Sequence, residues 1–259
     1  MKDTSKRRID LELVEQGIVR SRTHAQKKID SGAVFLKTDS TLTPILKASE
    51  LVDRGASLIV REDLQDAYVS RGALKLKGAC EKLGLDGFET FHCLDVGAST
   101  GGFTDFLLQA GVPCVICVDV GHGQLHPKIS QDSRVTHFEK INCRYPEQLK
   151  VCLAEKRFDL IVMDVSFISG TLIYPNLLFY LKPSGKLLAL VKPQFELGPD
   201  ALNRSGVVKN PDLYKTVEKK VKENLHNVGF EVLDYFQSSE LGGDGNVEFF
   251  VYANRAVRS

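Results

Sequence analysis

Leu94-Asp-Val-Gly-Ala-Ser-Thr-Gly-Gly-Phe103 decides the fold: an apolar strand runs into a glycine turn and then a helix start. Gly97, Gly101 and Gly102 allow backbone to come close to a ligand. The first N–H groups of the following helix have no partner within it. A glycine turn alone fits either a dinucleotide site or a tight corner. Two carboxylates move the choice. Ser99 occupies the middle glycine position of the dinucleotide pattern G-x-G-x-x-G, and Asp95 precedes the first glycine by two residues. A carboxylate there suits a ligand with a cationic amino group and repels a pyrophosphate. Asp119 ends the next strand, about 20 residues on, where it can take both ribose hydroxyls. An ammonium group plus an adenosine ribose describes S-adenosylmethionine better than NAD. The expected cofactor contacts here are Asp95, Gly97, Ser99, Thr100, Gly101, Gly102, Phe103 and Asp119.

Outward from this turn, strands and helices alternate. Strands are predicted at 92–98, 114–120, 134–139, 158–165, 186–192, 230–237 and 247–254, with helices near 71–84, 102–110, 124–131, 147–155, 169–181 and 211–227. The last helix is the clearest: Asn210 as cap, Pro211 at the first helical position, and Leu213, Val217, Val221, Leu225 and Val228 in one stripe before Gly229. Alternation of this kind predicts a doubly wound, mainly parallel seven-stranded sheet. Only Ser238–Asn246 separates the last two strands, so they should pair antiparallel.

Upstream, the pattern is different. Residues 8–32 read as two short helices, the first ending near Gly17, the second capped by Ser21 and stopped at Gly32. Ala33–Leu36, Ile45-Leu46 and Leu58–Val60 follow as short strands, and 61–70 as a charged linker. The expected domains are therefore 6–65, small and α+β, and 66–259, α/β. The 259 residues accommodate both, and 43% hydrophobic with 26% charged residues is ordinary for a globular chain. A net charge of +1 excludes a uniformly basic coat, so any nucleic-acid site must be a local patch. Residues 1–28 hold one. Lys2, Lys6, Arg7, Arg8, Arg20, Arg22, Lys27 and Lys28 stand against Asp3, Asp10, Glu12 and Glu15. An isolated patch of this size is as easily a solvated helix face.

The six cysteines are scattered and no secretory signal precedes them, which suggests reduced thiols in a cytoplasmic protein. Cys114-x-x-Cys117 is half a zinc site, but it lies within an apolar run and lacks a second ligand pair, so buried strand positions and no metal are expected. No apolar run approaches the ~18 residues that a membrane span needs.

Four charged residues are candidates for chemistry at the C-terminal edge of the sheet, where open α/β sheets place their sites. Asp164 and Lys192 each end a strand directly after an apolar run, a position that costs energy unless the charge is paired. Glu248 follows the turn Gly242-Gly-Asp-Gly245, and Lys75 sits in the helix that opens the large domain. Singly, each reads as an ordinary surface charge or ion pair.

The motifs together resemble a family. Tyr68-Val-Ser-Arg-Gly-Ala-Leu-Lys-Leu76, the glycine turn through Asp105, Val118-Asp-Val-Gly121, Asp164-Val-Ser-Phe-Ile-Ser169, Val191-Lys-Pro-Gln-Phe-Glu196 and Gly245-Asn-Val-Glu-Phe249 resemble the FtsJ-like RNA 2'-O-methyltransferases. With Arg8-Ile-Asp10 and Arg20-Ser-Arg22, nearly the whole chain resembles the TlyA family, which joins an S4-like RNA-binding domain to such an enzyme. The resemblance implies a Rossmann-like class I methyltransferase fold, S-adenosyl-L-methionine as cofactor, and a Lys75-Asp164-Lys192-Glu248 tetrad, with Asp164 also near the cofactor. It implies methylation of a cytidine ribose in ribosomal RNA, free or in ribosomal subunits, with no membrane role. Arg7, Arg8, Arg20, Arg22, Lys27 and Lys28 become the expected RNA contacts, positioning phosphates rather than reading sequence. One departure lies on the adenine side. The family usually shows an Asn-Val-Arg-like stretch; here it is Asn142-Cys-Arg144, leaving Glu139, Lys140 and Asn142 as candidates.

Lys192 is then the expected base. An ordinary lysine is protonated at pH 7 and cannot accept a proton. Lys75 nearby and partial burial favour the neutral amine, whereas Asp164 and Glu248 hold the lysines and oppose that shift. Three rival readings are a membrane-active haemolysin, as some family members were labelled, a small-molecule methyltransferase, and an inactive RNA-binding protein. The sequence offers no transmembrane span, no substrate logic for a small molecule with such an N-terminal domain, and an intact tetrad.

Overall fold

The computed structural model describes residues 6–30, 32–38, 41–60, 67–242 and 245–256. Lys2, Asp3, most of the expected linker (61–66), Gly243 and Asp244 lie outside the described residues. The chain divides into two compact units, Met1–Ala67 and Tyr68–Ser259.

In the first unit, β1 (Lys6–Arg8), α1 (Ile9–Glu15) and α2 (Arg22–Asp30) precede β2 (Val34–Lys37), β3 (Leu42–Pro44), β4 (Leu51–Asp53) and β5 (Leu58–Val60). Ser21 Oγ accepts the His24 N–H at 3.2 Å, the N-cap contact expected of that serine. β3, β2 and β5 form one antiparallel sheet, and β1 pairs with β4 in another. The second pairing has no signal in the sequence, because Lys6–Arg8 is wholly polar. The strand expected at Ile45-Leu46 ends instead at Pro44. The buried Ile45 side chain joins Ile9, Leu13, Ala25, Ile29, Val34 and Val52 in the core of this unit.

The second unit begins with α3 (Gly72–Leu83) and runs through β6 (His92–Val96), α4 (Gly102–Gln109), β7 (Cys114–Val118), α5 (Pro127–Ser130), β8 (Val135–Phe138), α6 (Pro146–Leu153) and β9 (Phe158–Met163). It continues with α7 (Tyr174–Leu177), β10 (Leu181–Val191), α8 (Pro193–Glu196), α9 (Leu213–Val228), β11 (Phe230–Gln237) and β12 (Phe249–Arg255). The seven strands form one sheet in the order β11-β12-β10-β9-β6-β7-β8. β10, β9, β6, β7 and β8 are parallel; β12 runs antiparallel to both of its neighbours.

Both faces of this sheet are buried, which is why its strands read as apolar runs. Leu94, Val96, Ile116, Val118, Ile161 and Met163 point to the side covered by α6, α7 and α9. Cys93, Val115, Cys117, Leu160 and Val162 point to the side of α3 and α4. Cys117 is buried as expected of a strand position, whereas Cys114 is only half-buried. The α9 stripe buries Val217, Val221 and Leu225, each contributing about 2 kcal/mol by area.

Three expectations are corrected. The helix expected at 169–181 is broken into single turns around α7, with Pro175 and two flanking 3-10 turns, and Leu181 already belongs to β10. The helix expected at 124–131 is only the four residues of α5, capped by His126, because Gly121 and Gly123 keep the preceding chain in turns. The last helix starts at Leu213 rather than Pro211; Asn210 accepts the Asp212 N–H one turn earlier. Among the described residues, no helix is long and apolar enough to cross a membrane.

Candidate active site

The sheet topology gathers the four candidate residues at one edge. β9 and β10 are parallel to β6, so Asp164 and Lys192 emerge at the same end as the glycine turn. β12 is antiparallel to β10, with Phe249 opposite Val191. Glu248 therefore enters β12 where Lys192 leaves β10. Asp164 N–H donates to Val96 O at 2.9 Å, tying the ends of β9 and β6 together.

The four charges form two ion pairs. Lys75 Nζ lies 2.5 Å from Glu248 Oε2, with side chains 11% and 3% exposed. Lys192 Nζ lies 2.6 Å from Asp164 Oδ1, with side chains 11% and 21% exposed. A cleft of about 290 Å³ is lined by Ser70, Arg71, Lys75, Asp95, Asp164, Ser166, Lys192 and Glu240, among others. A second cavity of about 570 Å³ is lined by Asp119, Asn142, Val120, Ile141, Phe167 and Ile168, among others. Gly97, Ser99, Asp164 and Ser166 line both, so the two cavities share a wall at the glycine turn.

Most expected cofactor residues line these cavities: Asp95, Gly97, Ser99, Thr100, Gly102 and Phe103 the first, Gly97, Ser99, Asp119 and Asn142 the second. Gly101 lines neither. Its φ is +90°, and an added Cβ would lie 2.9 Å from Leu125 and 3.1 Å from Ile129. At these glycines the chain itself also comes close. A Cβ at Gly97 (φ +82°) would sit 2.5 Å from the Asp164 carbonyl oxygen, so only glycine lets the turn rest on the end of β9. At Gly102 a Cβ would strike Ser70 Oγ and the start of α3.

Asp95 is fully buried on the α3/α4 side, and Thr104 Oγ1 donates to its Oδ2 at 2.6 Å. Among the described residues its Oδ1 has no hydrogen-bond partner. Burial pushes its carboxyl up to about 7; the nearby Asp164 and Asp119 add to the rise, and the Thr104 hydrogen bond opposes it. Asp119 Oδ2 and Oδ1 accept the Ser99 and Gly121 N–H groups, each at 2.7 Å. On the adenine side, Glu139 is engaged by the Gly123 N–H and by His122, and these contacts hold its carboxyl below the usual range. Lys140 lines neither large cavity, and Asn142 lines the second.

This donor set suits S-adenosylmethionine. A buried carboxylate oxygen without a partner can receive an ammonium group. An acid at a strand end can receive a ribose. Apolar walls from Val120, Ile141 and Ile168 can receive a base. The sequence reading missed Thr104, Ser166, Arg71 and Glu240. Ser166 had a signal, since it lies two residues past the strand-ending Asp164; Thr104 had none, because its bond closes a helix onto a strand.

In the first unit the expected RNA contacts divide. Arg20, Arg22 and Lys27 are exposed. Arg8 and Arg22 both hold Asp10, at 3.0 and 2.9 Å, and Arg7 is paired with Glu12 and Glu15. Lys28 is corrected: at 4% exposed it packs into the unit and is not part of a surface patch.

The FtsJ-like methyltransferase family matches residues 68–255. The 16S/23S rRNA (cytidine-2'-O)-methyltransferase TlyA of Mycobacterium tuberculosis is 37% identical, covering 95% of this chain and 88% of that protein. Hemolysin A of Brachyspira hyodysenteriae is 33% identical over 95% of this chain and 98% of that one. A hemolysin-named protein from Streptococcus thermophilus has a solved structure that superposes with a TM-score of 0.71, at 37% identity, covering 97% and 89% of the two chains. The sheet order, the cleft at its edge and these likenesses agree: the chain belongs to the FtsJ-like methyltransferases and, among them, to the TlyA family.

Proposed function

We propose that this chain methylates the ribose 2'-OH of a cytidine in ribosomal RNA, with Lys75, Asp164, Lys192 and Glu248 as its catalytic set. The observation that carries the reading is that Lys75, Asp164 and Lys192 line one cleft, each lysine held by a carboxylate, and that Asp164 also lines the neighbouring cavity. S-adenosylmethionine, when bound, supplies an electrophilic methyl group on sulfur. Asp95 takes its ammonium group, Asp119 its ribose, and the region of Asn142 its adenine.

A ribose hydroxyl attacks only as its proton leaves. The Lys192 amine, at the cleft wall, would accept that proton in its neutral form. The products are the 2'-O-methyl ribose and S-adenosylhomocysteine, and the proton passes from Lys192 to solvent. Asp164 holds the amine in place, and Lys75, anchored by Glu248, puts a second positive charge at the same edge. Holding oxygen and methyl in line removes much of the entropic barrier. The first unit is the S4-like module that grips RNA phosphates through Arg20 and Lys27, and the enzyme works in the cytoplasm, where ribosomal subunits are found.

Incubating the chain with labelled S-adenosylmethionine and either unmodified ribosomal subunits or naked ribosomal RNA tests this. Label in a single ribose-methylated cytidine is the expected result. Label in a base, or none in either substrate, overturns it. Leakage from liposomes at the same protein concentration would favour the membrane-active reading instead.

A further inference from the structure

Lys192 makes two contacts, and they differ in kind. Asp164 lies 2.6 Å away as a counter-charge. Ser166 Oγ accepts a directed hydrogen bond from Lys192 Nζ at 2.8 Å, and among the described residues it is the acceptor of the one such bond this amine makes. A neutral amine has two N–H donors and one lone pair, arranged tetrahedrally. Its stem can rotate about the terminal carbon–nitrogen bond, so a counter-charge alone does not say where the lone pair points. A directed acceptor narrows this, because fixing one N–H leaves the lone pair only two tetrahedral positions.

Ser166 is suited to that task. It lies on the wall common to both cavities, where an incoming hydroxyl and the methyl donor meet on the proposed reading. Its backbone is held from both ends. Asp164 N–H is bound to Val96 O at 2.9 Å, and the missing Cβ of Gly97 lets the Asp164 carbonyl settle on the glycine turn. Ser169 Oγ donates to Glu196 Oε2 at 2.5 Å, and Glu196 also accepts from the Gly170 N–H at 2.7 Å and from Lys220 at 3.0 Å. Glu196 belongs to α8, the turn that Lys192 itself precedes. The serine and the lysine are therefore carried on two strand-end loops that this carboxylate fastens together.

We propose that Ser166 is a positioning residue that aims the Lys192 amine at the acceptor hydroxyl. The inference rests on the methyl-transfer reading above, with Lys192 as the base. Ser166 touches neither reacting atom in this account and acts through the amine, while Asp164 supplies charge without direction.

The test compares wild type, Ser166→Ala and Ser166→Thr in the full chain, with unmodified ribosomal subunits and labelled S-adenosylmethionine. The side chain is exposed, so neither variant empties a core. For Ser166→Ala, kcat should fall about tenfold, near the upper end of what one hydrogen bond contributes. KM for subunits and Kd for S-adenosylhomocysteine should stay within about twofold, and Ser166→Thr, which keeps the hydroxyl, should restore most of kcat. An unchanged kcat in Ser166→Ala overturns the proposal. So does a fall matched by a weaker Kd or KM, which would make Ser166 a binding residue, and so does a failure of threonine to restore the rate. A wild-type chain that transfers no methyl group overturns the underlying reading as well, whereas an active wild type with an equally active Ser166→Ala overturns this inference alone.

Discussion

The cleft of the large unit and the helical face of the small unit are both dense in charge, but they use it differently. In the small unit, charges satisfy one another. The Asp10 carboxylate, 3% exposed, takes hydrogen bonds from Arg8 and Arg22. Burial alone would raise its carboxyl, and the two guanidinium groups outweigh that and hold it below the usual range. Glu12 accepts from Gln16 and Gly55 through Oε1, while its Oε2 faces the Arg7 guanidinium at 3.6 Å, a counter-charge rather than a hydrogen bond. In the cleft, Asp95 is left with an oxygen that has no partner among the described residues, and its carboxyl is pushed up to about 7. A charged motif with its bonds complete is scaffold; one with bonds withheld in a cavity is set up for a ligand.

Lys192→Ala breaks that contrast most severely. Removing a general base costs about 10³-fold in rate. Methyl transfer should fall by that factor while S-adenosylhomocysteine binds within about threefold of wild type, as read by calorimetry. A variant with near-normal turnover would reduce the Lys192–Asp164 pair to another scaffold bond.

The Lys75–Glu248 pair sits between the two cases, buried and complete yet beside the cleft. Lys75→Met leaves a buried carboxylate without its cation, which costs about 3 kcal/mol of stability. Activity should fall as well, by about a hundredfold. The double variant Lys75→Met/Glu248→Leu sharpens the point: its melting temperature should return close to wild type while its turnover stays low. Recovery of both would show the pair to be structural.

This mixture explains how far the sequence could be read. The sheet was legible because strands buried on both faces are apolar runs, and the α9 stripe because three of its valines and leucines face one core. Asp164 and Lys192 were legible as candidates because they break apolar runs at their ends, whereas their grouping with Lys75 and Glu248 was implied by the family resemblance. Two things were not legible. Lys6–Arg8 pairs with Leu51–Asp53 through backbone alone, so its side chains carry no strand signal. Satisfaction is also a tertiary property. Nothing in Arg8-Ile-Asp10 or Arg20-Ser-Arg22 says that two of the four charges meet a third at 3.0 and 2.9 Å, or that Lys28 turns inward.

Asp95 gives a smaller but more specific effect, through pH. Its carboxyl is raised from 3.8 to about 7, so the fold favours the protonated acid. Stability contributed by this group is therefore complete below about pH 4 and declines as pH rises toward 7. A cofactor ammonium group favours the ionised form instead. Affinity for S-adenosylhomocysteine, which keeps that ammonium, should rise about tenfold between pH 6 and pH 8, following the ionised fraction. Asp95→Asn keeps an acceptor for Thr104 and should show weak binding with no such rise. A pH-independent wild type would mean that Asp95 meets no cation.

The smallest effects belong to the small unit, and they separate its two kinds of arginine. Arg20 and Lys27 are exposed, and no described carboxylate pairs with either. Arg8 is exposed but spends its guanidinium on Asp10. On the proposed reading, Arg20→Ala and Lys27→Ala each remove one phosphate contact. RNA affinity should weaken by a few fold, the slope of log affinity against log salt should lessen by about one, and thermal stability should not move. Arg8→Ala should do the reverse, lowering the melting temperature slightly through the loss of its ion pair with Asp10 and leaving the salt slope nearly unchanged. Binding titrations at several salt concentrations, beside thermal melts, read both. If Arg8→Ala flattens the salt dependence as much as Arg20→Ala does, the guanidinium on Asp10 is shared with RNA, and bond completeness does not divide scaffold from site in this unit.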